Sequence, residues 1–156
     1  MTDFDEAVAA ILDRGPGRMI PDLDRIRALA DLMGDPQRTY PSIHVTGTNG
    51  KGSTVRMITA LLGSAGIAVG TYTSPHLQSI RERLSIAGRP ITEYEFAQVY
   101  DDLAALAVMV DEGVEHPEDH VTFFEFLTAM AYWWFADRAV DVGVFEVGMG
   151  GRWDAT

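Results

Sequence analysis

One segment constrains the fold of this chain more than any other: the glycine-rich stretch Thr46-Gly47-Thr48-Asn49-Gly50-Lys51-Gly52-Ser53. A short run of β-forming residues, Ser42 to Thr46, leads into it. After it, apolar residues recur at helical spacing until Gly66: Val55, Ile58, Leu61, Leu62 and Ala65. A strand, a glycine loop and a helix in this order present backbone N–H groups at a helix N-terminus, where anions bind. The segment is therefore predicted to bind the phosphates of ATP.

The composition of the loop suits this chemistry. Its glycines let the backbone approach a ligand, and Lys51, the only lysine among 12 basic residues, supplies positive charge. Ser53 and Thr54, at the start of the helix, carry hydroxyl groups that can bind the terminal phosphates and Mg²⁺. We assign Lys51 a catalytic role and Ser53 a role as metal ligand. Nucleotide binding is assigned to Thr48, Asn49, Gly50, Lys51, Gly52, Ser53 and Thr54.

The loop is a shortened variant of the general pattern G-x-x-x-x-G-K-[ST]. Counting back from Gly50, the first glycine would fall at Val45, and the residue after Lys51 is Gly52. The dipeptide Asn49-Gly50 is also typical of a hairpin turn, which needs a strand on both sides. The helical spacing after Ser53 favours the phosphate loop over the hairpin.

The remaining pattern alternates strands with helices, which predicts an α/β fold with a mostly parallel sheet flanked by helices. Thr92 and Glu95 have the spacing of a capping box at a helix start. Helices are predicted over 3–13, 22–33, 54–65, 92–112 and 122–137. Strands are predicted over 42–46, 67–73, 83–87 and 140–147, with a charged loop over 113–120.

Length and composition narrow the function classes. A chain of 156 residues fits one domain, and 47% hydrophobic residues can form a core. The net charge of −11 would repel a nucleic-acid backbone, so a nucleic-acid partner is not expected. No apolar run reaches the roughly 18 residues of a membrane span, and no secretory signal is recognised. The chain has no cysteine, so thiolate metal sites are excluded, and a cytoplasmic location is expected.

Glu146 closes an apolar run at the predicted end of a strand. A carboxylate there is costly to bury unless it is paired or bound to a metal, and ligands of open α/β sheets bind at that edge. Mg²⁺ prefers oxygen ligands, so Glu146 is a candidate metal ligand and catalytic residue. The alternative is a structural ion pair between Glu146 and Arg152.

Other residues allow two interpretations. Thr122 and Glu125 have capping-box spacing, which is a complete structural explanation by itself. Phe123 and Phe124 could be core residues, or could stack on a flat ring. Arg81 and Arg83 are expected to be charges at the surface or at a strand edge that could steer an anionic substrate.

The loop sequence G-T-N-G-K-G-S resembles the ATP loop of the Mur ligase superfamily, and within it the chain is similar to the folylpolyglutamate synthase (dihydrofolate synthase) family. Three further stretches carry the resemblance in the same order. They are Thr73-Ser74-Pro75-His76-Leu77 followed by Arg81-Glu82-Arg83, then Thr122-Phe123-Phe124-Glu125, and Glu146-Val147-Gly148-Met149-Gly150-Gly151-Arg152-Trp153-Asp154-Ala155-Thr156.

The resemblance implies an ATP-dependent ligase. The γ-phosphoryl group would move to a carboxylate of dihydropteroate or a folylglutamate, and the amine of L-glutamate would attack the acyl phosphate. It also implies Mg²⁺ binding by Ser74 and Glu146. Substrate contacts are implied at Asp22, Thr122, Phe123, Phe124, Glu125, Arg152, Trp153 and Asp154, although Ile20 to Arg25 depart from the L-G-L-E-R of relatives.

The same resemblance implies that residues 1–156 are the N-terminal part of the ATP-binding domain, with a C-terminal glutamate ligase domain absent from this chain. We expect the chain to be a monomer and to be inactive alone. Two other functions remain open: a muramyl-peptide ligase, and an ATP-binding module without catalysis.

Overall fold

The computed structural model describes residues 2–18 and 23–156. Within them lie five α-helices and five strands. The helices are α1 (Phe4–Asp13), α2 (Asp24–Leu32), α3 (Lys51–Ser64), α4 (Glu93–Asp111) and α5 (Phe123–Asp137). The strands are β1 (Ser42–Val45), β2 (Val69–Tyr72), β3 (Leu84–Ile86), β4 (Arg89–Pro90) and β5 (Val142–Glu146). Short 3₁₀ turns cover Pro36–Arg38, Ile80–Arg83 and Pro117–Asp119.

The strands form one sheet in the order β1-β5-β2-β3-β4. β5 pairs in parallel with β1 and β2. β3 pairs antiparallel with β2, and β4 pairs antiparallel with β3. Every residue of β5 is buried, as the apolar run in the sequence requires of a central strand. The predicted α/β class and mostly parallel sheet are confirmed, and each predicted helix and strand is found near its expected bounds.

The sequence interpretation missed β4. This two-residue strand follows a tight turn in which Ala87 and Gly88 both have positive φ, 49° and 74°. Such a turn reverses the chain at once, so β3 and β4 form a hairpin at the edge of the sheet.

Helices cover both faces of the sheet. α1, α2, α4 and α5 pack on one face around a large aromatic and aliphatic cluster. Gly70 in β2 allows close contact there, since a Cβ at that position would lie 2.7 Å from the ring of Phe135. On the other face α3 contributes Val55 to a smaller cluster of valines from β1, β2 and β5.

The three parallel strands end at the same edge of the sheet. β1 leads there into the phosphate loop, β2 into the segment from Thr73 to His76, and β5 into the segment from Val147 to Thr156. α5 runs antiparallel to these strands, so its N-terminus reaches this edge too. In the described parts of the chain, no helix combines the length and apolarity needed to cross a membrane.

Candidate functional site

The phosphate loop has the conformation that its glycines allow. Gly50 adopts a left-handed conformation (φ 75°) immediately before α3, and Gly47 has φ 147°. Lys51 folds back over the loop, and its Nζ donates to the carbonyl oxygen of Gly47 at 2.8 Å. A helix rather than a strand follows Asn49-Gly50, so the hairpin alternative is wrong.

The N-terminus of α3 is open. No side chain within the described chain caps it, and its first turn carries no acidic residue. The first N–H groups of a helix have no acceptor inside the helix and lie at the positive end of its dipole. Thr48, Asn49, Ser53 and Thr54 are exposed beside these groups. The seven residues assigned to nucleotide binding therefore lie together at the open N-terminus of α3.

Glu146 connects this loop to the segment after β2. The residue is 6% exposed, and its Oε2 accepts a hydrogen bond from the backbone N–H of Ser74 at 3.2 Å. Both carboxylate oxygens lie within 3.8 Å of the position that a Cβ on Gly52 would take. A glycine at the second position of α3 thus lets a buried carboxylate lie directly against the phosphate loop.

No ion pair links Glu146 and Arg152, both of which the structure describes. The Arg152 guanidinium lies instead over the Trp153 ring, 5.1 Å from its centroid. The structural alternative for Glu146 is therefore wrong.

The residues present suit one kind of metal site. Among the described residues there is no group of three His, Cys, Asp or Glu side chains that could hold a cation by themselves. One carboxylate beside an open helix N-terminus suits Mg²⁺ that is held jointly by protein oxygens and the oxygens of a bound phosphate. Ser53, Ser74 and Glu146 fit such a shared site.

Thr122 and Glu125 form the expected capping box at the start of α5. Glu125 N–H donates to Thr122 Oγ1 at 3.2 Å, and Thr122 N–H donates to Glu125 Oε2 at 2.8 Å. Unlike the capping boxes that begin at Asp3 and Thr92, this one is buried. The second carboxylate oxygen of Glu125 accepts from Nε of Arg25 at 3.0 Å. The capping box and the ion pair together fix the first turn of α5.

Two phenylalanines in that turn form an aromatic wall. Phe124 packs beside Tyr72 at 6.0 Å between ring centroids, and against Gly148, where a Cβ would lie 2.6 Å from the ring. Phe123 lies under the guanidinium of Arg83, 5.2 Å from the ring centroid. The core interpretation of these residues is incomplete, since both are only partly buried and line a cleft.

That cleft has a volume of about 640 Å³ and brings together much of the predicted substrate set. Its lining includes Ser74, Thr122, Phe123, Phe124, Glu125, Trp153 and Asp154, along with Arg25 and Arg83. Arg152 lies outside it and lines a neighbouring cavity of about 650 Å³. Asp22 lies outside the described residues, so its predicted contact is untested.

Asp154 also stabilises the turn that follows β5. Its carboxylate accepts from the backbone N–H of Met149 at 2.8 Å and of Thr156 at 3.1 Å, which holds the turn after β5 together. Tyr132 anchors the same turn by donating to the carbonyl oxygens of Ala155 and Thr156. Burial raises the pKa of Tyr132, so its hydroxyl stays a donor.

Arg83 corrects one expectation from the sequence. It is 7% exposed, and its Nε donates to Nδ1 of His76 at 2.9 Å, because the 3₁₀ turn before β3 directs the side chain inward. Burial lowers the pKa of His76, and the neighbouring Arg83 charge lowers it further. Arg81 remains near the surface beside Glu93, as expected. The mostly buried Arg25 was also missed, although it is the last residue of the stretch that corresponds to the L-G-L-E-R of relatives.

Comparison with known proteins confirms the resemblance. No family model matches the chain. A dihydrofolate synthase/folylpolyglutamate synthase from Mycobacterium tuberculosis is 50% identical over 143 residues, which are 89% of this chain and 29% of that protein. The mitochondrial folylpolyglutamate synthase of Homo sapiens is 37% identical over 153 residues, covering 97% of this chain and 23% of its own length.

Solved structures agree with this result. The folylpolyglutamate synthase of Mycobacterium tuberculosis complexed with ADP superposes with a TM-score of 0.92 at 47% identity, covering 98% of this chain and 34% of that one. The chain is thus homologous to folylpolyglutamate and dihydrofolate synthases over most of its length. It spans between 23% and 34% of the length of these relatives.

Proposed function

We propose that this chain is the phosphate-binding and pterin-binding part of an ATP-dependent ligase that adds L-glutamate to dihydropteroate, to folylpolyglutamates, or to both. One observation carries the proposal: the uncapped N-terminus of α3 lies against the buried carboxylate of Glu146 and next to an aromatic cleft. A nucleotide phosphate and a flat substrate would therefore meet at one edge of the sheet.

The phosphates of ATP would bind to the N–H groups of the loop and of the first turn of α3, with Lys51 as counter-charge. To reach them, Lys51 Nζ would exchange the carbonyl oxygen of Gly47 for a phosphate oxygen. Mg²⁺ would be held by Ser53, Ser74 and Glu146, and it would neutralise charge on the phosphates. The homologous structure with ADP supports the nucleotide part of this assignment.

The reaction follows from the need to activate a carboxylate. A carboxylate is a poor electrophile at neutral pH, so its oxygen would take the γ-phosphoryl group from ATP and release ADP. The glutamate amine would then attack the carbonyl carbon of the acyl phosphate, lose a proton and expel inorganic phosphate, which leaves an amide. Lys51 would stabilise the charge on the transferring phosphoryl group.

The cleft would hold the folate portion of the substrate. Phe123 and Phe124 offer aromatic surface, Thr122 lines the same wall, and Ser74 marks the end nearest the phosphate loop. Trp153 and Asp154 close the side formed by the turn after β5. A solved complex of a folylpolyglutamate synthase with AMPPCP and folate, 39% identical and with a TM-score of 0.91 over 99% of this chain and 37% of that one, supports this pairing of ligands.

Isothermal titration of the 156-residue chain with Mg²⁺-ATP, and then with dihydropteroate, tests the proposal. We expect both ligands to bind and Lys51→Ala to weaken ATP about 100-fold, with Arg56→Ala as a matched control on the exposed face of α3. Binding of ATP without dihydropteroate would indicate a nucleotide module without catalysis. Binding of a muramyl peptide in place of dihydropteroate would identify the other ligase class.

A second measurement concerns the chain alone. Because it spans about a third of its relatives, we propose that residues 1–156 bind substrates but do not complete ligation. Glutamate addition to a folate by the isolated chain, at a rate above that of Lys51→Ala, would contradict this.

A further inference from the structure

The loop that follows β2, residues 74–79, lies beside Glu146 but is not held by apolar packing. None of its six side chains is buried, and Leu77 is 85% exposed. Only its first residue is tied to the phosphate side of the sheet, through the hydrogen bond from Ser74 N–H to Glu146. The conformation of the rest of the loop therefore depends on hydrogen bonds.

Glu82 makes most of these hydrogen bonds. Its Oε2 accepts from the backbone N–H of Leu77 at 2.9 Å, and its Oε1 accepts from the N–H groups of Gln78 and Ser79, both at 3.0 Å. A capping box explains only the bond to Ser79, at the start of the 3₁₀ turn. The hydrogen bonds from Leu77, Ser79 and Gln78 lower the pKa of Glu82, so its carboxylate stays charged.

The charge of Glu82 is used on the loop and not on its neighbours in the sequence. Glu82 stands between Arg81 and Arg83, yet among the described residues neither arginine forms an ion pair with it. Arg81 pairs with Glu93, and Arg83 Nε donates to His76 Nδ1. Because hydrogen bonds to an ionised acceptor are stronger than neutral ones, the three bonds to Glu82 are the main constraint on residues 77–79.

We propose that Glu82 is a positioning residue for the Mg²⁺ site, which holds the loop so that Ser74 stays beside Glu146. The inference rests on the proposed function, which assigns Ser74 and Glu146 to Mg²⁺. Glu82 acts through the loop backbone, three residues beyond Ser74, and not by contact with the ion. A loop that is already ordered before Mg²⁺ and phosphate bind does not have to be ordered at the expense of their affinity.

The first test is hydrogen exchange of the 156-residue chain without ligand, measured by NMR. Glu82→Gln keeps the size of the side chain but removes its charge and one of its two acceptor oxygens. We expect the amides of residues 77–79 to exchange at least about fivefold faster in this variant. Glu95→Gln is the matched control, because Glu95 accepts from Thr92 N–H in the capping box of α4 and should leave the loop amides unchanged. Unchanged exchange in Glu82→Gln overturns the inference and leaves the proposed function standing.

The second test is ATP affinity by isothermal titration, in Mg²⁺ and in EDTA. We expect Glu82→Gln to weaken ATP about five- to tenfold in Mg²⁺ and less than about twofold in EDTA. Ser74→Ala should cause a similar loss that also depends on Mg²⁺. Because Glu82 acts through Ser74, adding Glu82→Gln to Ser74→Ala should cause no further loss. Glu95→Gln should bind ATP as the unmodified chain does.

Each other outcome decides the matter. Equal losses in Mg²⁺ and in EDTA show that Glu82 only stabilises the fold, and unchanged affinity shows that the loop needs no such support; both overturn the inference. Additive losses in the double variant also overturn it, because Glu82 would then act independently of Ser74. Failure of the unmodified chain to bind ATP overturns the proposed function itself. If Glu82→Gln does not fold, Glu82→Asp, which keeps the charge on a shorter side chain, takes its place in both tests.

Discussion

α3 and α5 both begin at the carboxyl edge of the sheet, yet their first turns are built in opposite ways. α5 starts with a buried capping box, in which Thr122 Oγ1 accepts from the N–H of Glu125 and the Glu125 carboxylate accepts from the N–H of Thr122. α3 starts at a glycine, carries Lys51 and no acid in its first turn, and has no side-chain cap within the described residues. One terminus is capped by the protein's own side chains, and the other has no side-chain cap among the described residues.

Under the proposed function, the difference divides ligand recognition between two neighbouring places. An open helix terminus costs stability because its N–H groups are left to solvent, but it provides a phosphate site without further side chains. A capped and buried terminus gives up that ability and provides a rigid wall, here for the aromatic cleft. The following predictions test this division, beginning with the largest expected effect.

Removing the carboxylate of the capped terminus should cost the most stability. Glu125→Ala leaves the buried Arg25 without its ion-pair partner and removes the acceptor of Thr122 N–H. Because an unpaired buried charge is unfavourable, we expect the free energy of unfolding to fall by about 3–5 kcal/mol in urea denaturation. Glu95→Ala is the control, since that capping box pairs with a half-exposed Arg138; it should cost only about 1 kcal/mol. Equal losses in the two variants would contradict the role given to burial.

Replacing Glu146 should weaken ligand binding at the open N-terminus of α3 and leave the capped N-terminus of α5 unchanged. Glu146→Gln keeps an acceptor for Ser74 N–H but removes the charge beside Gly52. We expect the Mg²⁺-dependent part of ATP affinity to fall at least about tenfold, or about 1.4 kcal/mol, because a neutral amide is a weak Mg²⁺ ligand. Titrations with and without EDTA measure this part. Equal Mg²⁺ dependence in variant and parent would exclude Glu146 as a ligand.

The sequence predicted those parts of the site that depend on neighbouring residues. Three features depend only on residues a few positions apart: the glycine loop, the helix that follows it, and the capping box of Thr122 and Glu125. Their spacing in the sequence is therefore sufficient to predict them. The end of β5 at Glu146 follows from an uninterrupted apolar run. Homology then gave these local features a common function.

What the sequence could not predict depends on contacts across the fold. Arg25 and Glu125 are 100 residues apart, and nothing local indicates that they form an ion pair. Arg83 belongs to a charged stretch typical of a surface, but the 3₁₀ turn before β3 brings it into contact with His76. The aromatic cleft forms because the first turn of α5 lies beside the segment that follows β5, where Phe124 packs against Gly148.

The two capping threonines offer a smaller test of the same comparison. Thr92→Ala and Thr122→Ala each remove a side-chain acceptor for a helix N–H group, at α4 and α5 respectively. Each should lower the free energy of unfolding by about 1 kcal/mol in urea denaturation. Only Thr122→Ala should also weaken dihydropteroate binding, because Thr122 lines the cleft and Thr92 does not. Equal effects on dihydropteroate would show that the wall contributes nothing specific.

The smallest expected effect on stability, but the most direct test, comes from closing the open terminus. Ser53 is the third residue of α3, the position that Glu125 holds in α5. Ser53→Glu places a carboxylate beside the free N–H groups and should raise the free energy of unfolding by about 0.3–1 kcal/mol through the helix dipole. The same carboxylate competes with phosphate, so Mg²⁺-ATP affinity should fall at least about fivefold. Ser53→Gln, similar in size but neutral, and Ser53→Ala, which lacks the hydroxyl, separate the effect of charge from the loss of a metal ligand. If Ser53→Glu loses no more ATP affinity than these two variants, the terminus of α3 is not where the phosphates bind.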